Sequence, residues 1–207
     1  MLRARWVKVA LFLLCLVPLA WLAYRWQTNQ LGFNRAETVA RYTGDWTLRM
    51  LLFSLTVTPL RRMTGWNDLI RFRRMLGLFA FFYGTLHLFH YLWMDKAWFW
   101  PEIWDDLKVR RFFSMGWAAW AMMLPLALTS TAAAIRALGK KWQLLHRLAY
   151  ASAIAGVVHF YWQGKAALWD PILYGVAVFV LLALRLWFAR KKWLALFTDR
   201  PKVAPSA

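Results

Sequence analysis

The sequence contains four histidines, and each lies in or at the edge of a long apolar run: His87 and His90 in one, His146 and His159 in another. Ionisable side chains inside a bilayer are rare and usually functional. A single one is readily explained as a hydrogen bond between helices. Four, with none in any connecting segment, point instead to a bound cofactor. Zinc and di-iron centres normally recruit carboxylates or thiolates, and neither of the two runs contains either. A haem needs only two neutral imidazoles on facing helices and an apolar pocket for the macrocycle.

Membrane helices must position these imidazoles. Of the 207 residues 61% are hydrophobic and only 17% are charged, and 16 are Trp. A soluble domain carries about a quarter charged residues. Apolar stretches long enough to cross a bilayer recur at about 7–24, 44–60, 75–94, 112–134, 142–162 and 171–188. The expected fold is therefore all-α, an integral membrane six-helix bundle occupying 1–190, with a short tail over 191–207. Arg49 and Arg185 fall near span ends, where a long side chain reaches the interface. The first span follows Arg3, Arg5 and Lys8 but has no convincing cleavage site, so it reads as a retained helix. No internal repeat is visible. The lone Cys15 excludes an internal disulfide or thiolate cluster and reads as a small buried hydrophobe.

The net charge of +18 is dispersed in short clusters between apolar runs, which is how membrane topology is set; a nucleic-acid partner is not expected. With the N-terminus in the cytoplasm, 18 of the 27 Lys and Arg residues lie on the cytoplasmic side. The positive-inside rule then puts both termini in the cytoplasm. Trp93, Trp98, Trp100 and Trp104, after span three, read as an interfacial aromatic belt.

In this topology spans three and five run in the same direction, and His87 and His159 fall at a common depth in the outer half of the membrane. Pairing them across one haem is the simplest arrangement. His146 lies 13 residues before His159, about 20 Å lower along a helix, and Arg74 holds the matching place 13 residues before His87. His146 thus reads as a second-haem ligand, or as an interfacial residue binding a lipid phosphate, a quinone or a flavin. His90, one turn beyond His87, reads as a hydrogen-bonding neighbour, with an alternative ligand as the other reading. Arg71, Arg73, Arg74, Lys140, Lys141 and Arg147 cluster with His146 at the inner face, a patch suited to a flavin phosphate or a quinone headgroup. The same residues also satisfy the topology rule.

Several motifs occur in order: Thr43-Gly44; Thr58-Pro59-Leu60-Arg61; Arg71-x-Arg73-Arg74-x-Leu76-Gly77-Leu78; Thr85-Leu86-His87; Thr129-Ser130-Thr131; and Leu138-Gly139-Lys140-Lys141-Trp142-Gln143-x-Leu145-His146. From about Thr43 to Arg185 the chain resembles the haem-binding membrane subunits (MsrQ) of bacterial periplasmic methionine-sulfoxide reductase systems, within the wider ferric-reductase-like transmembrane group. The resemblance implies an inner-membrane location and a core whose third and fifth helices clamp haem b, one or two groups, between His87, His146 and His159. It also implies electrons drawn from the quinone pool, or from a flavin such as FMN served by a cytoplasmic flavin reductase. The acceptor it implies is a periplasmic molybdopterin-containing subunit that reduces methionine sulfoxide in oxidised proteins. Ferric reductases and NADPH oxidases carry a long nucleotide-binding domain after the last helix; here about 19 residues follow span six, with no Gly-rich phosphate loop. The expectation is a subunit that borrows its electrons. A stand-alone b-type cytochrome reducing ferric chelates, and a proton-coupled transporter, are the rival readings.

Overall fold

The computed structural model describes residues 2–164 and 169–198. Its helices are α1 (Leu2–Gln27), α2 (Arg35–Thr64), α3 (Ile70–His90), α4 (Trp100–Val109), α5 (Arg111–Leu128), α6 (Ala132–Leu138), α7 (Lys140–Leu145), α8 (Leu148–Gln163) and α9 (Trp169–Thr198). A 3₁₀ turn (Asn67–Leu69) leads into α3, and a π turn (Tyr91–Asp95) ends it. Among the described residues there is no β-strand. Three helical segments are long and apolar enough to span a membrane: Arg5–Gln27, Asn67–Asp95 and Trp169–Arg190. A fourth is the pair Arg111–Leu128 and Ala132–Leu138, bent by 94°. Of the six expected spans, three or four meet this test of length and apolarity among the described residues. Asp45, Arg49 and a run of Thr and Ser dilute α2, while α8 has only 16 residues.

Two boundaries differ from the sequence reading, and both have local causes. Span four was expected to run through 134, yet α5 stops at Leu128. Pro125 cannot donate to the helix ladder. Thr129 and Ser130 return their hydroxyls to the Pro125 and Leu126 carbonyls (2.6 and 2.7 Å). Thr131 then caps α6, accepting from the Ala134 N–H at 3.1 Å. Span five was expected to be continuous from 142, but the chain turns at His146–Arg147 between α7 and α8.

α2 and α3 form one antiparallel pair, α5 and α8 another. The pairs meet through α3–α5 and α2–α8 contacts, while α1 lies against α3 and α9 against α2 and α8. Their buried centre includes Leu55, Phe79, Ala80, Tyr83, Met123 and Ala153. The fully buried Tyr83 donates to the Cys15 carbonyl at 2.7 Å, tying α1 to the bundle. Outward residues such as Phe12, Leu13 and Val17 on α1, and Leu173, Val176 and Phe179 on α9, are exposed, as lipid-facing residues should be.

Arg49 and Arg185 both bond to neighbouring helices. Arg49 Nε donates to the Tyr174 hydroxyl at 2.9 Å. Arg185 donates through Nη2 to the Leu55 carbonyl at 2.9 Å, and through Nη1 to the Tyr150 hydroxyl. Each spans two helices, so the two cations fasten α9 to α2 and α8.

On the far side of the π turn, α4 is held by a buried carboxylate. Asp106 accepts from Lys96 Nζ (2.9 Å), Arg110 Nε (3.1 Å) and the Tyr91 hydroxyl (2.7 Å). Burial pushes the Asp106 carboxyl up, but the Lys96 and Tyr91 hydrogen bonds and the Arg110 charge outweigh it and hold the group below the usual carboxylate range. The bond to Asp106, joined by one to Glu102, raises the Lys96 ammonium correspondingly.

Candidate functional site

His87 of α3 and His159 of α8 face each other with ring centroids 6.1 Å apart and planes at 79°. A metal–imidazole bond is about 2.0–2.1 Å, so two trans ligands on one metal bring their ring centroids roughly 6 Å apart. Each ring is fixed by a carbonyl on the neighbouring helix. His87 Nδ1 lies 2.9 Å from the Ala40 carbonyl of α2, and His159 Nδ1 lies 2.6 Å from the Phe112 carbonyl of α5. A carbonyl can only accept, so both Nδ1 atoms carry the proton and both Nε2 lone pairs remain free for a metal.

Glycine makes the close approach possible. A Cβ on Gly44 would stand 3.2 Å from His87 Cε1, and one on Gly116 2.8 Å from His159 Cε1 and Nδ1. The imidazoles open onto a cavity of about 290 Å³ lined by Gly84, Gly156, Leu48, Trp117, Trp120 and Met123, among others. Trp117 Nε1 is buried without a hydrogen-bond partner among the described residues. Two imidazoles at this ring separation with free Nε2 atoms, glycine-thinned walls, and an orphan donor and the cations Arg41 and Arg110 in the lining fit a macrocycle with an apolar body and polar edge groups. Among the described residues no three His, Cys, Asp or Glu side chains gather into a self-contained metal site.

The other two histidines are used differently. His90 is buried, and its Nε2 donates to the Ala36 carbonyl of α2 at 2.8 Å, so that nitrogen is already committed. His146, in the α7–α8 turn, stacks on Trp142 at 3.9 Å and lies with Nε2 3.2 Å from Thr129 Oγ1. With Arg73, Arg74, Ser54 and Gly77 it lines a second cavity of about 230 Å³, and Met123 forms a wall of both cavities. Of the basic residues singled out in the sequence, only Arg73 and Arg74 reach that cavity. Arg71 pairs with Asp68 at 3.0 Å, and Lys140, Lys141 and Arg147 are exposed at the surface around it.

The sequence reading found no internal repeat, and the structure corrects this. Ala40 and Phe112, Gly44 and Gly116, Gly84 and Gly156, and His87 and His159 play identical parts, and each pair is separated by 72 residues. The His-to-carbonyl bond spans 47 residues in both halves. Twenty of the 23 residues lining the histidine cavity are partners under this shift. The α2–α3 pair and the α5–α8 pair are therefore one structural unit used twice. Few of the equivalent residues are identical, so only the glycine and histidine spacing betrays it.

Comparison with known proteins identifies the family of the chain. Residues 43–157 match the family model described as ferric reductase like transmembrane component. The chain is 50% identical to the protein-methionine-sulfoxide reductase heme-binding subunit MsrQ of Azospira oryzae, covering 86% of this chain and 78% of that one. It is 46% identical to the MsrQ subunit of Herminiimonas arsenicoxydans (90% and 87% covered) and 43% identical to that of Rhodospirillum rubrum (89% and 89%). No solved structure matches.

Proposed function

The chain belongs to the MsrQ family of haem-binding subunits of protein-methionine-sulfoxide reductases, within the ferric-reductase-like transmembrane proteins, and from that premise we propose that it conducts electrons across the bacterial inner membrane. They pass to a periplasmic molybdopterin-containing subunit that reduces methionine sulfoxide in oxidised proteins. His87 and His159 would hold a haem b. The single observation that carries this reading is the pair of imidazoles 6.1 Å apart with both Nδ1 protons given to helix carbonyls. When bound, the haem supplies a one-electron carrier that cycles between ferric and ferrous iron.

The chain's own residues hold and orient that carrier. The Ala40 and Phe112 carbonyls fix each tautomer and raise ligand basicity. Gly44 and Gly116 let the rings approach, and Leu48, Trp120 and Met123 supply apolar wall. The chain spans the membrane six times with both termini in the cytoplasm, so the histidine cavity lies in the outer half and the arginine cavity in the inner half. Electrons arrive at the arginine cavity, from the quinone pool or from a flavin such as FMN reduced by a cytoplasmic flavin reductase. There His146, Arg73 and Arg74 receive the donor, or a second haem. Arg71, Lys140, Lys141 and Arg147 attract anionic groups to its mouth.

The test is reoxidation of the reduced protein in the absence of oxygen. Adding the periplasmic reductase subunit with methionine sulfoxide should restore the oxidised spectrum, whereas methionine sulfoxide alone or a ferric chelate should not. Rapid reoxidation by the chelate and none through the partner would make the chain a stand-alone ferric reductase.

A further inference from the structure

The histidine cavity is charged at one end only. Its charged lining residues, Arg41, Asp45, Asp95 and Arg110, lie where α2 and α5 begin and where α3 and α8 end, so all four belong to one end of the two helix pairs. Deeper in, the lining is Leu48, Gly84, Ala119, Met123 and Gly156, without charge. A haem has the same polarity, an apolar ring with its carboxylates along one edge. A carboxylate taken out of water needs a paired cation. Resting on the proposed haem ligation by His87 and His159, we infer that Arg110 binds a carboxylate on the edge of that haem, and that Asp106 is the positioning residue that holds Arg110 for it.

The two cations in the lining differ in what they have left to give. Arg41 is taken by Glu37: its Nε and Nη2 both reach Glu37 Oε1, each at 2.9 Å. Arg110 is held through Nε alone, 3.1 Å from Asp106 Oδ1, and among the described residues neither of its Nη groups has a partner. Those two nitrogens form the planar fork that matches a carboxylate. Asp106 is itself fixed. It is 7% exposed, and its Oδ2 accepts from Lys96 Nζ at 2.9 Å and from the Tyr91 hydroxyl at 2.7 Å. Tyr91 packs on Phe113 with ring centroids 4.3 Å apart, and both line the cavity. The hub that fastens α4 therefore also sets the guanidinium at the cavity mouth. The acids in the lining do not occupy that guanidinium: Asp45 lies 3.8 Å from Arg49, and Asp95 is exposed.

The experiment is resonance Raman spectroscopy of the purified full-length haem protein, read at the propionate bending bands, together with the rate of haem loss to excess apomyoglobin. Arg110→Gln should shift a bending band and speed haem loss about tenfold, the effect of one charge-assisted hydrogen bond, while the low-spin visible spectrum stays. Arg110→Lys should restore part of both. Asp106→Asn should shift the same band and speed haem loss to a smaller extent, because the guanidinium loses the carboxylate that fixes it. Glu102→Gln, which touches only Lys96 in this cluster, should change neither, and this separates a positioned Arg110 from a loosened α4. A band that stays in place in Arg110→Gln, or that moves in Arg41→Gln instead, would overturn the inference while leaving the His87–His159 haem standing. A band that moves in Arg110→Gln but not in Asp106→Asn would overturn the positioning role of Asp106. Should Arg110→Gln fail to fold, Arg110→Lys decides on the same band: a shift from the wild-type position supports the inference, and an unmoved band overturns it. A wild type with no haem at all would instead overturn the proposed function.

Discussion

The histidine cavity and the arginine cavity are built from the same two-helix unit used twice, yet they present opposite chemistry. In the first, two imidazoles meet with their Nε2 atoms free; in the second, an imidazole whose Nε2 is engaged by Thr129 shares the space with two arginines. The difference lies in the residues at equivalent positions and in the turn that carries His146, where its counterpart Arg74 sits inside α3. Two helix pairs on a common residue spacing offer two cavities, and the side chains decide what each can hold.

The largest way to break this contrast is to remove a ligand. His87→Ala or His159→Ala should abolish the low-spin spectrum of the histidine cavity, because the iron loses an axial bond and nothing else nearby replaces it. Changing His146 should not.

Next in size are the glycines that make room for the rings, where the two halves differ in tightness. Glycine to alanine in a helix interior gains about 1 kcal/mol in propensity, whereas overpacking costs about 1–3 kcal/mol. At Gly116 the new Cβ would stand 2.8 Å from two ring atoms of His159, so the ring must move. Gly116→Ala should displace the ligand and lower haem occupancy several-fold. At Gly44 the nearest contact is 3.2 Å, and the two effects nearly cancel. Haem titration of the two variants compares the halves directly, and equal losses would break the asymmetry.

A smaller effect is expected at the latch that holds α4. Asp106→Asn leaves Lys96 with Glu102 alone and should cost about 1–3 kcal/mol, read as a lower unfolding temperature with an unchanged haem spectrum. The pH dependence has a definite sign. Asp106 titrates below its unfolded value, so its contribution is complete above the ordinary carboxylate pKa of about 3.9 and is lost as pH falls through the depressed folded value. Lys96 titrates above its unfolded value of about 10.4, so its contribution is complete below that and is lost as pH rises through the folded one. The latch should therefore hold across the whole neutral range.

The smallest effect is at His90. Its Nε2 bond to the Ala36 carbonyl is worth about 0.6–2 kcal/mol inside a membrane. His90→Ala should lower stability slightly and leave the spectrum intact.

Much of this was legible in the residues. Four histidines confined to two apolar runs pointed to the candidate site, and depth counting put His87 opposite His159, which do face each other, and Arg74 level with His146. Other features were not. The α5–α6 break depends on Thr129, Ser130 and Thr131 turning their hydroxyls onto nearby backbone, which hydropathy does not register. The cross-helix bonds of Arg49 and Arg185 depend on Tyr174 and Tyr150 waiting at the right height on other helices. The carbonyl anchors of the imidazoles are backbone atoms and carry no sequence signal beyond Gly44 and Gly116 four residues on. The repeat escaped because membrane helices interchange apolar residues freely; only Gly44, Gly84 and His87, echoed at Gly116, Gly156 and His159, preserve its register.

The most direct test of the central claim is a reduced-minus-oxidised visible spectrum of the purified wild-type protein, with low-temperature electron paramagnetic resonance of the oxidised form. A haem b held between His87 and His159 predicts a low-spin ferric signal and sharp reduced bands, both lost when either histidine is replaced. A colourless folded protein, a purely high-spin iron, or a low-spin signal that survives loss of His87 and of His159 would contradict it.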